Sequence, residues 1–337
     1  MIVYEMSKTT SGLDDLHRAE RPEPIPGDYD ALVRIRAASL NYRDHAIVTG
    51  SYRYNLDHDT IPCSDGAGEV VSVGPRVTRF KPGDRVVTTF FQTWIDGPPP
   101  KNRSALGAPM DGTLAEYMSL HEDGWVAMPS TLSFEEAATL TCAGATAWNA
   151  LMVAGRPIKP GDTVLTLGTG GVSMFALQFA KAAGARVIVT SSSDQKIEKA
   201  RSLGASDGVN YKTHPDWEKE VQRLTDGRGV DCVVETGGIA TMAKSFVCVG
   251  WSGKVTLIGV LAGREGHADP HDLMFKSASL HGIGVGSRAS LESLIRAIDV
   301  NRIKPVIDKV FPFSDAIDAF RYQATQAYVG KIVITIQ

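Results

Sequence analysis

The feature that most limits the fold is a unit of strand, glycine turn and helix that opens at residue 164 and then repeats. Residues 164–167 are an apolar run, and Gly168-Thr169-Gly170-Gly171-Val172-Ser173 follows at once. Helix spacing continues through Val172, Phe175, Ala176, Phe179, Ala180 and Ala183 and stops at Gly184. Further strand candidates lie at 186–190, 208–211, 231–235, 254–259 and 279–284, with amphipathic stretches between most of them. Six strands with helical crossovers predict a doubly wound parallel sheet covered on both faces. Each crossover helix must bury its apolar stripe against that sheet.

The glycine segment stands where such a sheet binds a dinucleotide, between the first strand and the first helix. Its glycines permit a tight turn and close backbone approach, so a pyrophosphate can rest on the helix N-terminus. Alone the hexapeptide is a weak signal; at the head of six alternating strands it predicts a nicotinamide cofactor. Ser173 replaces the usual third glycine and is small enough for helix–strand packing. About twenty residues on, enzymes that use NAD place an acid against the ribose 2′-hydroxyl. Here the second strand runs into Thr190-Ser191-Ser192-Ser193, with Lys196 close behind. Hydroxyls and a lysine suit a 2′-phosphate that a carboxylate would repel, so NADP(H) is the expected cofactor. Asp194 fits a helix N-terminal position better than a ribose contact. A plain capping turn at these serines is compatible with either cofactor.

The 337 residues are enough for two domains. Up to about residue 124 the chain is rich in Pro and Gly. Short runs such as Ala31-Leu32-Val33-Arg34-Ile35, 68–74 and 83–87 suggest a compact β-barrel-like domain. The change of texture sets the expected boundaries: 1–124 for this domain, 125–285 for the sheet-and-helix domain, and 286–337 for a tail. That tail ends in a strand and is expected to return to the first domain. The apolar stretch 137–155 is interrupted by Thr139, Thr141, Thr146 and Asn149, which marks a core helix rather than a membrane span. A net charge of −3 gives no electrostatic reason to expect nucleic acid or a membrane as partner. The first residues lack a signal-peptide pattern. Cys63, Cys142, Cys232 and Cys248 are scattered without a CxxC, as suits a reduced cytoplasmic chain.

Taken together, several segments resemble the medium-chain dehydrogenase/reductase superfamily, and within it the zinc-lacking quinone oxidoreductase-like branch. They are Leu40-Asn41-Tyr42-Arg43-Asp44, Asp65-Gly66-Ala67-Gly68-Glu69-Val70, Gly83-Asp84-Arg85-Val86, Cys142-Ala143-Gly144-Ala145-Thr146-Ala147, the glycine loop, and Gly284-Val285-Gly286-Ser287-Arg288. The resemblance covers nearly the whole chain. It implies an α/β protein with a GroES-like β-barrel-type catalytic domain and a Rossmann domain. It also implies an oxidoreductase, often dimeric, in which the strand at 279–284 can pair sheets.

Zinc-dependent relatives hold the catalytic ion with cysteine, histidine and a second cysteine, leaving one position open. The resemblance places Asn41 and Ser64 at the first two positions, and only Cys142 matches the third. One thiol and two neutral oxygen-bearing side chains are not a zinc site, and no cysteine lies between Cys63 and Cys142 to build a structural zinc lobe. No metal is therefore expected. Without a Lewis acid, charge developing on a substrate oxygen must be met by hydrogen-bond donors. Zinc-free relatives typically reduce a quinone or a conjugated double bond, where charge spreads through an enolate. Asn41 and Tyr52 are the candidate donors, with Asp44 as the acid that orders their loop. Tyr42 and Tyr54 compete with Tyr52, and water can deliver the proton equally well.

For the cofactor the resemblance implies Thr146 near the nicotinamide or phosphate end, and Ser191, Ser192, Lys196 and Tyr211 around the adenosine 2′-phosphate. Thr236, Gly259, Val260 and Leu261 follow the fourth and fifth strands, at the sheet end where ligands of such folds bind. Ser287 and Arg288 follow the sixth and are expected to reach the carboxamide or the phosphates. The substrate is expected to be a small enone, quinone or carbonyl compound, in a pocket shaped by the loop 90–110. Two other readings remain open: a metal-free aldehyde or ketone reductase, and an NADPH-binding protein without catalysis.

Overall fold

The computed structural model describes residues 1–52, 54 and 56–337. They divide into two compact units: Met1–Ala145 with Gly286–Gln337, and Thr146–Val285.

The second unit is a six-stranded, all-parallel sheet. Its strands are Thr163–Leu167, Arg186–Ser191, Asp207–Asn210, Val230–Glu235, Val249–Leu257 and Ser279–Gly282. In space they run third, second, first, fourth, fifth, sixth, the doubly wound order of dinucleotide-binding sheets. The first strand is buried along its whole length, as a strand with helices on both faces must be. The helix Gly171–Ala182 buries Met174, Phe175, Leu177 and Phe179, and the Phe175 and Phe179 rings stack 5.6 Å apart. The fifth strand starts at Val249 rather than 254. Val249 pairs with Val230 before a register shift lets Lys254 meet Cys232, so a bulge extends a strand that the apolar pattern shortens.

The first unit is built on a seven-stranded, largely antiparallel sheet, with a separate hairpin of Ile2–Met6 and Leu16–Glu20. Its central strand, Asp30–Ser39, is flanked along its length by Asp65–Val73. On its other side Tyr117–His121 pairs with the first half and Lys331–Thr335 with the end. The tail does return: Val333 pairs with Ser39, and Ile307–Pro312 lies outside it in parallel. Val33, Ile35, Val70, Leu106, Leu114, Trp125, Phe320, Ile332 and Ile334 form the buried centre.

The first unit extends past residue 124, to Ala145. Trp125–Ala127 looks like the opening strand of the second domain, yet it pairs with Arg85–Thr88 in the first sheet. The apolar stretch expected as one core helix is helical from Phe134 to Val153, with wider π turns at Leu140–Gly144 and Asn149–Val153. Among the described residues no helix is long and apolar enough to cross a membrane.

Gly68 pairs with Ile35 of the central strand, and a Cβ there would lie 2.2 Å from the Arg34 carbonyl oxygen. Gly68→Ala is expected to cost about 1–3 kcal/mol in urea unfolding, the usual range for overpacking. Gly282→Ala, where no atom lies within 4 Å, should stay within about 0.5 kcal/mol of the parent. Equal midpoints for the two variants would contradict this close approach.

Candidate active site

Two sets of groups answer to the expected site, one in each unit. In the first unit they gather at the end of the central strand. The register that pairs Val333 with Ser39 carries Lys331 alongside Asn41. On the opposite side Ser39 pairs with Asp65, which brings Ser64 and Asp65 to the same point.

Asn41 is the N-cap of the helix Tyr42–Val48, and Asp44 accepts its backbone N–H through Oδ2 at 2.8 Å. Asp44 thus orders the start of this helix. The two residues form a capping box, and the Asn41 side chain also reaches into the cluster. Its Oδ1 accepts from Lys331 Nζ at 2.6 Å, and its Nδ2 lies 3.5 Å from Ser64 Oγ. Ser64 donates to Asp65 Oδ1 at 2.7 Å, and the Cys142 backbone N–H donates to Asp65 Oδ2 at 3.2 Å. Lys331 Nζ also donates to the Leu40 carbonyl at 2.6 Å and stands 3.7 Å from Asp65 Oδ2. Arg43 donates to the Leu106 and Ala108 carbonyls at 2.8 and 3.2 Å, lies over the Phe90 ring, and is 3.5 Å from Asp44. Two basic and two acidic side chains are therefore packed into one almost dry cluster.

Sequence reasoning places Asn41, Ser64 and Cys142 together, and so does the structure. It did not single out Lys331, Asp65 or Arg43 as site residues. The available signal was Lys331 itself, a basic residue opening the apolar run Lys331-Ile332-Val333-Ile334, and it is only 3% exposed. Tyr52 is 44% exposed; its backbone N–H donates to Ala46, and its ring lies 5.4 Å from that of Tyr54. Burial pushes the Cys142 thiol well up, and the Asp65 charge adds to the effect.

In the second unit the glycine loop has the form that a pyrophosphate needs. Gly168 adopts φ +73°, a left-handed conformation that glycine takes without strain, and no atom lies within 4 Å of where a Cβ would project from Gly168 or Gly170. Gly170 is the N-cap of the helix that begins at Gly171 and Val172. Ser173, in place of the third glycine, donates to the Leu167 carbonyl at 2.7 Å, and Thr236 donates to the same oxygen at 2.8 Å. Thr169 and Thr146 are buried. Gly259 packs against the Thr236 carbonyl, whose oxygen would be 2.2 Å from any Cβ, while Val260 and Leu261 stay exposed. Behind this loop the buried Glu235 accepts from the Gly237 and Gly238 amides at 2.7 and 3.0 Å and from Thr241 and Ser245, which sequence reasoning missed.

At the end of the second strand Ser191 is buried and Ser192 half-buried, with Lys196 in the first turn of the helix Asp194–Leu203. Asp194 accepts from Asn210 Nδ2 at 2.8 Å, and Tyr211 is exposed just beyond. Ser287 and Arg288 belong to the first unit. Ser287 caps the helix Arg288–Asn301 by accepting from the Ser290 N–H, and Arg288 is paired with Asp123 and Glu292. These are the partners the structure gives the two residues that the sequence suggested for a cofactor contact.

The comparisons bear on the family. The zinc-binding dehydrogenase family matches residues 171–299, and the alcohol dehydrogenase GroES-like domain matches residues 27–130. A zinc-type alcohol dehydrogenase-like protein of Schizosaccharomyces pombe is 43% identical over 99% of each chain. The chain belongs to the medium-chain dehydrogenase/reductase superfamily, among its zinc-type alcohol dehydrogenase-like members. A solved NAD-dependent alcohol dehydrogenase is 34% identical and superposes with a TM-score of 0.92 over the whole of both chains. A 2-methylene-furan-3-one reductase of Solanum lycopersicum is 32% identical over 97% of this chain and 78% of its own. As a member, the chain is an oxidoreductase using a nicotinamide cofactor, with a GroES-like domain and a six-stranded Rossmann domain.

Burial pushes the Asp44 carboxyl from 3.8 up to about 6, against the opposing pull of Arg43. The folded protein then binds this proton more tightly than the unfolded chain. The stabilisation is full below about pH 4 and is lost as pH rises through about 6. Asp44→Asn should flatten that part of the stability curve, by up to about 3 kcal/mol at ~1.4 kcal/mol per pH unit. Urea unfolding of both proteins across this window checks it, and matching slopes would exclude Asp44 as the source.

Proposed function

We propose that this protein is an NADPH-dependent reductase that delivers hydride to a conjugated enone or a quinone without a catalytic metal. The observation that carries this reading is the Lys331 ammonium against Asn41, where metal-dependent relatives have their first zinc ligand. A lysine cation 2.6 Å from that side chain competes with any dication, and an amide and a hydroxyl beside a single thiol make a poor zinc ligand set. The residues present do not fit catalytic zinc. Among the described residues there is also no group of three or more His, Cys, Asp or Glu side chains arranged to hold a metal.

A nicotinamide cofactor, by contrast, fits the residues of the second unit, where Gly168–Val172 would hold the pyrophosphate. Bound there, it supplies the hydride. We assign Ser192, Lys196 and Tyr211 to an adenosine 2′-phosphate, a reading supported by the Asp194 carboxylate being bonded to Asn210. Hydride addition at the β-carbon of an enone leaves charge on its oxygen, and Asn41 Nδ2 is the group we assign to meet it. Tyr52 or water returns the proton. The alcohol dehydrogenase names of the relatives favour a second reading, reduction of an aldehyde or ketone.

NADPH oxidation should proceed with 2-cyclohexen-1-one or a benzoquinone, undiminished by exhaustive chelation, and NADPH should bind more tightly than NADH. Activity lost to a chelator and restored by zinc would overturn the metal-free reading. Turnover confined to aldehydes would favour the second one.

We also propose a homodimer paired through the sheet edge at Ser279–Gly282, which among the described residues bonds to one neighbour only. Leu280, Phe275 and Trp251 on this unit are exposed, the last two at 69% and 76%. Light scattering should give a dimer mass, and Leu280→Lys should lower it; a monomeric parent at assay concentration would refute the pairing. The four cysteines are free thiols, which suits a cytoplasmic protein.

A further inference from the structure

The cluster at Asn41 is a ring of three hydrogen bonds closed by an ion pair, and its direction is set by its members. An ammonium can only donate, so Lys331 requires the oxygen of the Asn41 amide to face it, at 2.6 Å. The Nδ2 end is thereby turned to Ser64, at 3.5 Å. Ser64 gives its own proton to Asp65 Oδ1 at 2.7 Å, which leaves its oxygen free to accept. Asp65 closes the ring with Oδ2 3.7 Å from Lys331. Reversing the Asn41 amide would set an NH₂ group against the ammonium, donor facing donor.

This polarity leaves one group over. Nδ2 carries two protons, and its acceptor in the cluster, Ser64, takes one of them. Lys331 donates to Leu40 and Asn41 and is ion-paired with Asp65 at 3.7 Å. Lys331 is also buried, so its ammonium faces these protein groups rather than solvent. We propose that Lys331 is a positioning residue for hydride transfer: it locks the Asn41 amide in one orientation and polarises it, presenting the second Nδ2 proton to the substrate oxygen. A cation on the carbonyl side draws electron density from the nitrogen and strengthens that N–H as a donor. The inference rests on the reading of Asn41 as the oxyanion donor. It assigns to an ammonium, acting through an amide, the electrophilic role that a metal has in relatives.

The test is a double-mutant cycle on the full-length protein, with NADPH and 2-cyclohexen-1-one as the probe. Asn41→Ala should lower kcat about 100-fold, the usual loss for one oxyanion donor. Lys331→Met should lower it about 10- to 100-fold, with the KM for the enone and the Kd for NADPH within about threefold. The double variant should be no slower than Asn41→Ala alone, because Lys331 acts through the amide. Lys331→Arg, which keeps the charge and the donors, should recover most of the loss.

Losses that multiply in the double variant, or a Lys331→Met enzyme at full rate beside a slow Asn41→Ala, would overturn the role of Lys331 and leave the donor reading standing. Asn41→Ala at full rate would instead overturn the donor reading itself. A measurement without turnover accompanies these. The Asn41 side-chain ¹H–¹⁵N pair, assigned by its loss in Asn41→Ala, should shift in Lys331→Met and stay near its place in Lys331→Arg. An unmoved pair in Lys331→Met would overturn the lock.

Discussion

A buried ammonium is tolerated only where acceptors and an opposite charge surround it, and that requirement ties the first unit together around Lys331. Its partners come from distant parts of the chain: Asn41 lies 290 positions away, and Leu40 291. They meet because one antiparallel register sets Val333 beside Ser39 while another sets Asp65 on the other flank. A slip of one residue in the last strand would turn Lys331 to the opposite face and leave an amide and a carboxylate in the dry interior without their cation. The pairing of that strand and the chemistry of the cluster are therefore one constraint.

The parallel sheet was legible because its signals are local. Glycine turn, apolar strand and amphipathic helix recur within about thirty residues each, and each element ends at its own punctuation. The tail strand was legible for the same reason, although its neighbour in space was a matter of topology. The Asn41, Ser64 and Cys142 cluster came from motif matches, which carry long-range proximity without having to derive it. Lys331 was not legible. A single lysine at the mouth of an apolar strand reads as a solvated end, and only a pairing across nearly the whole chain shows that it is buried.

Two other places show how local rhythm and long-range partners differ. Trp125–Ala127 precedes a helical run, so local rhythm assigns it to the second domain, but its hydrogen bonds go to Arg85–Thr88. Ser287 and Arg288 follow the sixth strand and so fall where ligand contacts are usual. Arg288 is instead neutralised by Asp123 and Glu292, and the Ser287 hydroxyl accepts a helix N–H. Position along a fold predicts where a side chain starts; the nearest opposite charge or orphan amide decides where it ends.

The two units also differ in continuity. Residues 146–285 form one uninterrupted stretch, whereas the other unit needs both 1–145 and 286–337. During synthesis the nucleotide-binding sheet can complete itself while the central strand of the first sheet still lacks its last neighbour. Until residue 331 leaves the ribosome, Asn41 and Asp65 have no cation between them, and the open strand end beside Ser39 offers unpaired backbone to any passing chain. Order of folding is thereby written into the topology: the unit that makes up the middle of the chain can finish first, and the polar cluster of the other is assembled only by the final strand.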